Sequence, residues 1–165
     1  MGTRVAASAL ILALAPFLAA CSGDESGPGP GQQTTSDADC GLRIPDHVFT
    51  ILGWTATGKP AEATVRGCHR EAEQGYVEVR ERSGYDRLCR TLDRSGGVSP
   101  GVPVDWLGAD VVACAVEPVG DIGQTKVVVQ EEGDKVTQVT IAVLTSTSQA
   151  QVRAAVAELV GEGQG

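Results

Sequence analysis

The spacing of apolar and polar positions changes several times along this chain, and each change marks a different kind of segment. From Ala6 to Phe17 the residues are apolar apart from Ser8, behind a single charge at Arg4. The whole run, about 14 residues from Val5 to Leu18, is too short to cross ~30 Å of hydrocarbon, and it ends in Leu18-Ala19-Ala20-Cys21. From Ser22 to Asp39 the chain reads SGDESGPGPGQQTTSDAD, without a Val, Ile, Leu or Phe. Such a stretch has no face to bury and is expected to stay disordered. As a flexible coil its eighteen residues reach roughly 23 Å.

Regular periods begin after Cys40. Val48, Ile51 and Leu52 recur at helical spacing between Pro45 and Gly53, which predicts a short first helix over 45–52. Residues 54–61 read as loop. Glu62–Arg70 reads as a strand, and Tyr76–Arg82 as a clearer one, with Val77 and Val79 on one face and Glu78 and Arg80 on the other. The polar connection between them makes a hairpin. Ser83 is placed to cap a second helix over 84–94, whose inner face carries Tyr85, Leu88, Cys89 and Leu92 and whose outer face carries Arg87, Arg90 and Arg94. After a Gly- and Pro-bearing loop over 95–108, Val111–Val116 reads as a buried strand. Lys126–Glu131 and Lys135–Leu144 form the clearest hairpin, turning at Glu132-Gly133-Asp134. Ser148 and Gln151 make a capping box for a last helix, whose stripe is Val152, Ala155, Val156, Leu159 and Val160. The expected order is α-β-β-α-β-β-β-α. Hairpins and one-sided helices together predict an α+β fold, a two-layer sandwich of an antiparallel sheet with helices on one face.

The segment boundaries are 1–20 for the apolar leader, 21–39 for the linker, 40–161 for one folded domain and 162–165 for a fraying tail. The leader with its small residues before Cys21 resembles bacterial prolipoprotein signal peptides. The resemblance implies removal of residues 1–20 and a diacylglyceryl thioether on Cys21. Two acyl chains anchor firmly, since each buried methylene contributes roughly 0.8 kcal/mol. Membrane attachment through that lipid, on the extracytoplasmic face of the cell membrane, is the expected address.

Residues 1–20 hold one charge, Arg4, so the remaining chain carries 12 basic against 21 acidic residues, a net charge of −9. That sign argues against nucleic acid as a partner. Aromatic residues are few, two each of Phe, Tyr and Trp, so the core must rest on aliphatic side chains.

Besides Cys21 the chain has Cys40, Cys68, Cys89 and Cys114, an even number that reads as two disulfides in an exported domain. Three connectivities exist. Pairing neighbours, Cys40–Cys68 and Cys89–Cys114, is favoured, and each loop would contribute about 3.5 kcal/mol in the chain-entropy model. No C-x-x-C or His at ligand spacing accompanies them, so no metal is expected. Cys40-Gly41-Leu42, the short helix ending at Leu52-Gly53 and the strand Cys68 are similar to small actinobacterial lipoproteins with a domain of unknown function opening on Cys-x-Leu. The resemblance covers about a third of the chain and implies a bonded Cys40–Cys68 pair. This chain departs from it in having His69-Arg70 where an aromatic would follow Cys68, and in carrying a second cysteine pair. The resemblance implies no activity.

Catalytic motifs fail on inspection. Gly53–Lys59 has P-loop spacing, but Pro60 stands where the magnesium hydroxyl belongs. His47 and His69 lie near no nucleophile elbow. The acid pairs Glu71/Glu73 and Glu131/Glu132 fall in hairpin connections, where solvated turn acids are ordinary. The expectation is a non-enzymatic envelope module without cofactor, binding an envelope protein or cell-wall component. Arg87, Arg90 and Arg94 are its candidate partner-binding residues, because guanidinium forks match phosphate and carboxylate. Carriage of a small apolar ligand between sheet and helices is the alternative, and an envelope enzyme the third class.

Overall fold

The computed structural model describes residues 36–65, 67–94, 97–98 and 100–161. The leader, Cys21, the linker up to residue 35 and the tail over 162–165 lie outside the described residues.

The fold is α+β. Helix α1 spans Asp37–Arg43 and takes in Asp37, Ala38 and Asp39 from the segment whose composition predicts a linker. A reciprocal cap starts it: the Asp39 amide donates to Ser36 Oγ, and the Asp39 carboxylate accepts from the Ser36 amide. Those bonds hold the Asp39 carboxyl below its usual range. Asp37 accepts the Ala63 amide at 2.8 Å and ties the helix to the sheet edge. Helix α2, Asp46–Leu52, begins after Pro45 and ends where Gly53 turns left-handed at φ 71°.

Among the described residues nine strands follow: β1 Glu62–Thr64, β2 Gly67–Ala72, β3 Gly75–Ser83, β4 Asp93–Arg94, β5 Gly97–Val98, β6 Val102–Pro103, β7 Ala113–Val116, β8 Gly123–Gln130 and β9 Lys135–Val143. Helix α3, Tyr85–Arg90, lies between β3 and β4, and helix α4, Gln149–Gly161, closes the domain. Seven strands form one sheet in the order β1-β2-β3-β9-β8-β7-β6, antiparallel at every junction, while β4 and β5 pair separately. The segment 62–70 is thus a hairpin of two short strands, not one strand. Val65, apolar by type, sits in its turn and is 89% exposed. Gly67 lets β2 press onto β3, because a Cβ there would lie 2.1 Å from the Val79 carbonyl oxygen.

Helices cover both faces of the sheet, which corrects the expected single helical layer. On the first face α1, α2 and α4 bury Cys40, Ile44, Phe49, Leu52, Val152 and Val156 against Val77, Val127, Val139 and Ile141. Arg70 also lies on this face, buried, donating to the Ile44 carbonyl at 3.0 Å and to Asp46, with its guanidinium 4.9 Å above the Phe49 ring. At the start of α4 the Ser148 hydroxyl accepts the Gln151 amide and the Gln151 side chain returns a bond from the Ser148 amide. On the second face a smaller cluster joins Leu92, Cys114, Val116, Val128 and Val136 to Tyr85, Leu88 and Cys89 around α3.

Each face has its own disulfide. Cys40 bonds to Cys68 within the larger core, and Cys89 bonds to Cys114, linking α3 to β7.

Candidate binding surface

The second face of the sheet carries most of the polar side chains that the three central strands present. Alternation along β3 puts Tyr76, Glu78, Arg80 and Arg82 on this face, opposite Val77 and Val79. Register does the rest. Glu78 pairs with Thr140, which pairs with Lys126; Arg80 pairs with Gln138; Tyr76 pairs with Ala142, which pairs with Gln124. The result is a set of rows crossing β3, β9 and β8 with roughly 4.8 Å between neighbours.

Helix α3 covers one end of this face and leaves the rest open. Leu88, Thr91 and Leu92 stand as a wall beside the strand side chains, enclosing a recess of about 400 Å3. Its polar contacts are internal in part: Arg80 pairs with Glu78 at 2.5 Å, and the Gln124 amide donates to the Tyr76 hydroxyl at 2.8 Å. Burial, with Glu78 beside it, pushes the Tyr76 phenol up, so the ring stays a neutral hydrogen-bonding group. His69 packs against its ring at 5.0 Å between centroids. The Nε atoms of Arg80 and Arg82 are buried without a hydrogen-bond partner among the described residues. Among the described residues the lining holds three cations, Arg80, Arg82 and Lys126, to one carboxylate, Glu78, on a chain whose overall charge is −8.

The arginine row expected on α3 does not form. Ser83 is the last residue of β3, and the helix begins after Gly84, which is left-handed at φ 80° and provides no side-chain cap. The helix then stops at Arg90, because the Cys89 carbonyl accepts the Gly101 amide at 2.6 Å instead of an amide one turn further on. Arg87 and Arg90 remain on α3, exposed, with Arg87 donating to the Ser83 carbonyl at 3.4 Å. Arg94 belongs to β4, and its side chain lies outside the described residues. What sequence reasoning missed is the next arginine pair back, Arg80 and Arg82. Their signal was the same alternation that placed Val77 and Val79 in the core, but an outward strand face reads as solvent until something is known to wall it.

No family model matches this chain, nor does any curated protein or solved structure.

A second recess, of about 520 Å3, opens at the β6–β7 edge, with Val102, Val104, Trp106 and Val116 among its lining. Its cation is already shared: Arg153 makes a forked bond to Glu117 at 2.7 and 2.6 Å and lies 5.6 Å from the Trp106 ring centroid. The Trp106 indole N–H is buried without a partner among the described residues. Among the described residues no three His, Cys, Asp or Glu side chains come together as a metal-binding group. The acid pairs of the hairpin connections stay apart from both recesses; Glu71 is mostly exposed beside His69, and Glu131 accepts from Thr137.

Proposed function

We propose that this protein is a cell-envelope lipoprotein, anchored through a lipid on Cys21 at the extracytoplasmic face of the membrane, whose domain is a non-enzymatic binding module. The observation that carries the binding half is the recess on the second sheet face. It concentrates the cations Arg80, Arg82 and Lys126 on one sheet face of an acidic chain, beside polar side chains that can both donate and accept. The address rests on Leu18-Ala19-Ala20-Cys21, and two disulfides in a domain this small are in keeping with an oxidising compartment.

The anchor is tested by metabolic labelling with a palmitate analogue, which should mark the wild type and not Cys21→Ser. Equal labelling of both would end that half of the reading. The binding half is tested by retaining envelope extracts on the lipidated protein. Material held by the wild type should be lost from an Arg80→Gln, Arg82→Gln double variant, and equal retention by both would remove this face. Carriage of a small apolar ligand is the second reading. It is favoured by the Val- and Trp-lined recess at the β6–β7 edge, a volume within the range of small-molecule sites.

A further inference from the structure

The chemistry of the second-face recess goes further than charge. A bare anion satisfies donors but offers none of its own, and an acidic peptide donates only through amides spaced along its backbone. Between and beside the three cations stand Gln124, Gln138, Thr140 and Tyr76, whose amide and hydroxyl oxygens also accept. A ligand that answers both must carry anionic oxygens together with hydroxyl groups that donate. Leu88 and Leu92 add an apolar wall at one side, a surface suited to the C–H face of a pyranose ring. The recess is also small. At about 400 Å3 it suits one or two sugar units, whereas a stable protein partner covers roughly 800 Å2 per side and seats buried aromatic anchors. Among the described residues Tyr76 is the single aromatic one in this lining.

We propose that this recess binds an acidic glycan, a saccharide unit bearing a phosphate or carboxylate group, as found on a cell-wall polymer. Arg82 and Arg80 take the anionic oxygens through the parts of their guanidinium groups that line the recess, and Lys126 adds charge from the far strand. Gln138, Gln124 and Thr140 read the ring hydroxyls, and Tyr76 supports the ring. The inference rests on the binding-module reading and names the class of partner for that same face.

The test uses the full-length lipidated protein in detergent micelles, titrated by calorimetry with trigalacturonate, glucose 6-phosphate, neutral maltotriose, inorganic phosphate and hexaglutamate. Trigalacturonate or glucose 6-phosphate should bind, and the tighter of the two names the anion. Maltotriose and inorganic phosphate should bind at least tenfold more weakly. Affinity should fall with added salt, since the cations are partly exposed. Arg82→Gln should weaken binding by about tenfold or more, the scale of one charged hydrogen bond. Gln138→Ala, which leaves every cation in place, should weaken the acidic saccharide while leaving inorganic phosphate unchanged. Both variants are checked for an unaltered thermal transition, and Gln138→Ala serves if Arg82→Gln fails to fold. Hexaglutamate or inorganic phosphate binding as tightly as the saccharides would overturn the inference, as would no saccharide binding at 10 mM. If envelope material is still retained through Arg80 and Arg82 while no saccharide binds, the glycan assignment falls and the binding-module reading stands. If neither occurs, both fall.

Discussion

Replacing Cys89 and Cys114 by alanine together, with Cys40–Cys68 left intact, should separate α3 from the sheet before it unfolds the domain. The bond closes a separation of 25 residues, and the chain-entropy relation gives about 3.5 kcal/mol for its loss. That is a large share of a total stability of ~5–15 kcal/mol. Among the described residues little else holds α3. It has six residues, no side-chain cap and no buried residue within it, and a helix of that length is not stable by itself. What remains is the half-buried packing of Tyr85 and Leu88, the Gly84 amide on Asp134 at 3.1 Å, and the Gly101 amide on the Cys89 carbonyl. With a urea slope of about 2 kcal/mol/M, the midpoint should fall by roughly 1.5–2 M. Hydrogen exchange locates the damage. The Leu88, Thr91 and Gly101 amides, which bond to Gly84, Leu88 and Cys89 carbonyls, should lose protection first. Amides in the β8–β9 ladder around Val127 and Val139 should remain the slowest. A midpoint shift under about 0.5 M, or equal loss of protection in α3 and β9, would refute the reasoning.

Three further outcomes are expected. The Asp39 carboxyl is held below its ordinary value by its bonds to Ser36, so its support of α1 is complete above the ordinary aspartate pKa of about 4 and is lost as the pH falls through the lower folded value; an NMR titration of Asp39 that shows no downward shift would contradict the cap. Gly67→Ala should destabilise the domain by about 1–3 kcal/mol, because the new methyl meets the Val79 carbonyl, and thermal melting reads it directly. Arg87→Gln with Arg90→Gln should move the melting transition very little, since both side chains are exposed, and a loss above about 1 kcal/mol would mean that these arginines hold the fold.

The parts of the fold that were legible in the sequence are those decided by one local period. The stripe on α4 is buried residue for residue, and Val77, Val79 and the hairpin of β8 and β9 lie where alternation puts them. The start of α1 is written in the sequence as Ser-x-x-Asp at Ser36 and Asp39, but it lies at the end of a stretch without large apolar residues, whose composition predicts disorder. Other features depend on partners distant in sequence. Nothing local says that the Gly101 amide will take the Cys89 carbonyl and end α3 at Arg90, which is what puts Arg94 on another element. Nothing local says that Arg70 will enter the larger core, since its three partners, Ile44, Asp46 and Phe49, come from α2 and the residue before Pro45. The side of the sheet that a helix chooses is equally invisible to periodicity. An apolar stripe states that a helix packs, and only the disulfide and the crossing of the chain state where.

That choice of side ties the binding surface to the second disulfide. Leu88, Thr91 and Leu92 belong to the least self-sufficient segment of the domain, yet they form one wall of the recess. A ligand that touches this wall binds only molecules in which α3 is seated, so its apparent affinity is scaled by the seated fraction. In the wild type the Cys89–Cys114 bond keeps that fraction near one. In the double alanine variant the fraction falls, and the ligand in turn draws α3 back by linkage. An acidic saccharide should therefore bind the variant more weakly, and at saturation it should restore exchange protection to Leu88 and Thr91 while leaving the β8–β9 amides unchanged. The comparison is with Arg82→Gln, where α3 stays bonded and the loss should come from the missing contact, with no change in α3 protection in the free protein. If the cysteine variant bound the saccharide as tightly as the wild type while its α3 amides exchanged freely, the ligand would not touch the wall. The recess would then be the open sheet alone, read by Arg80, Arg82 and Gln138.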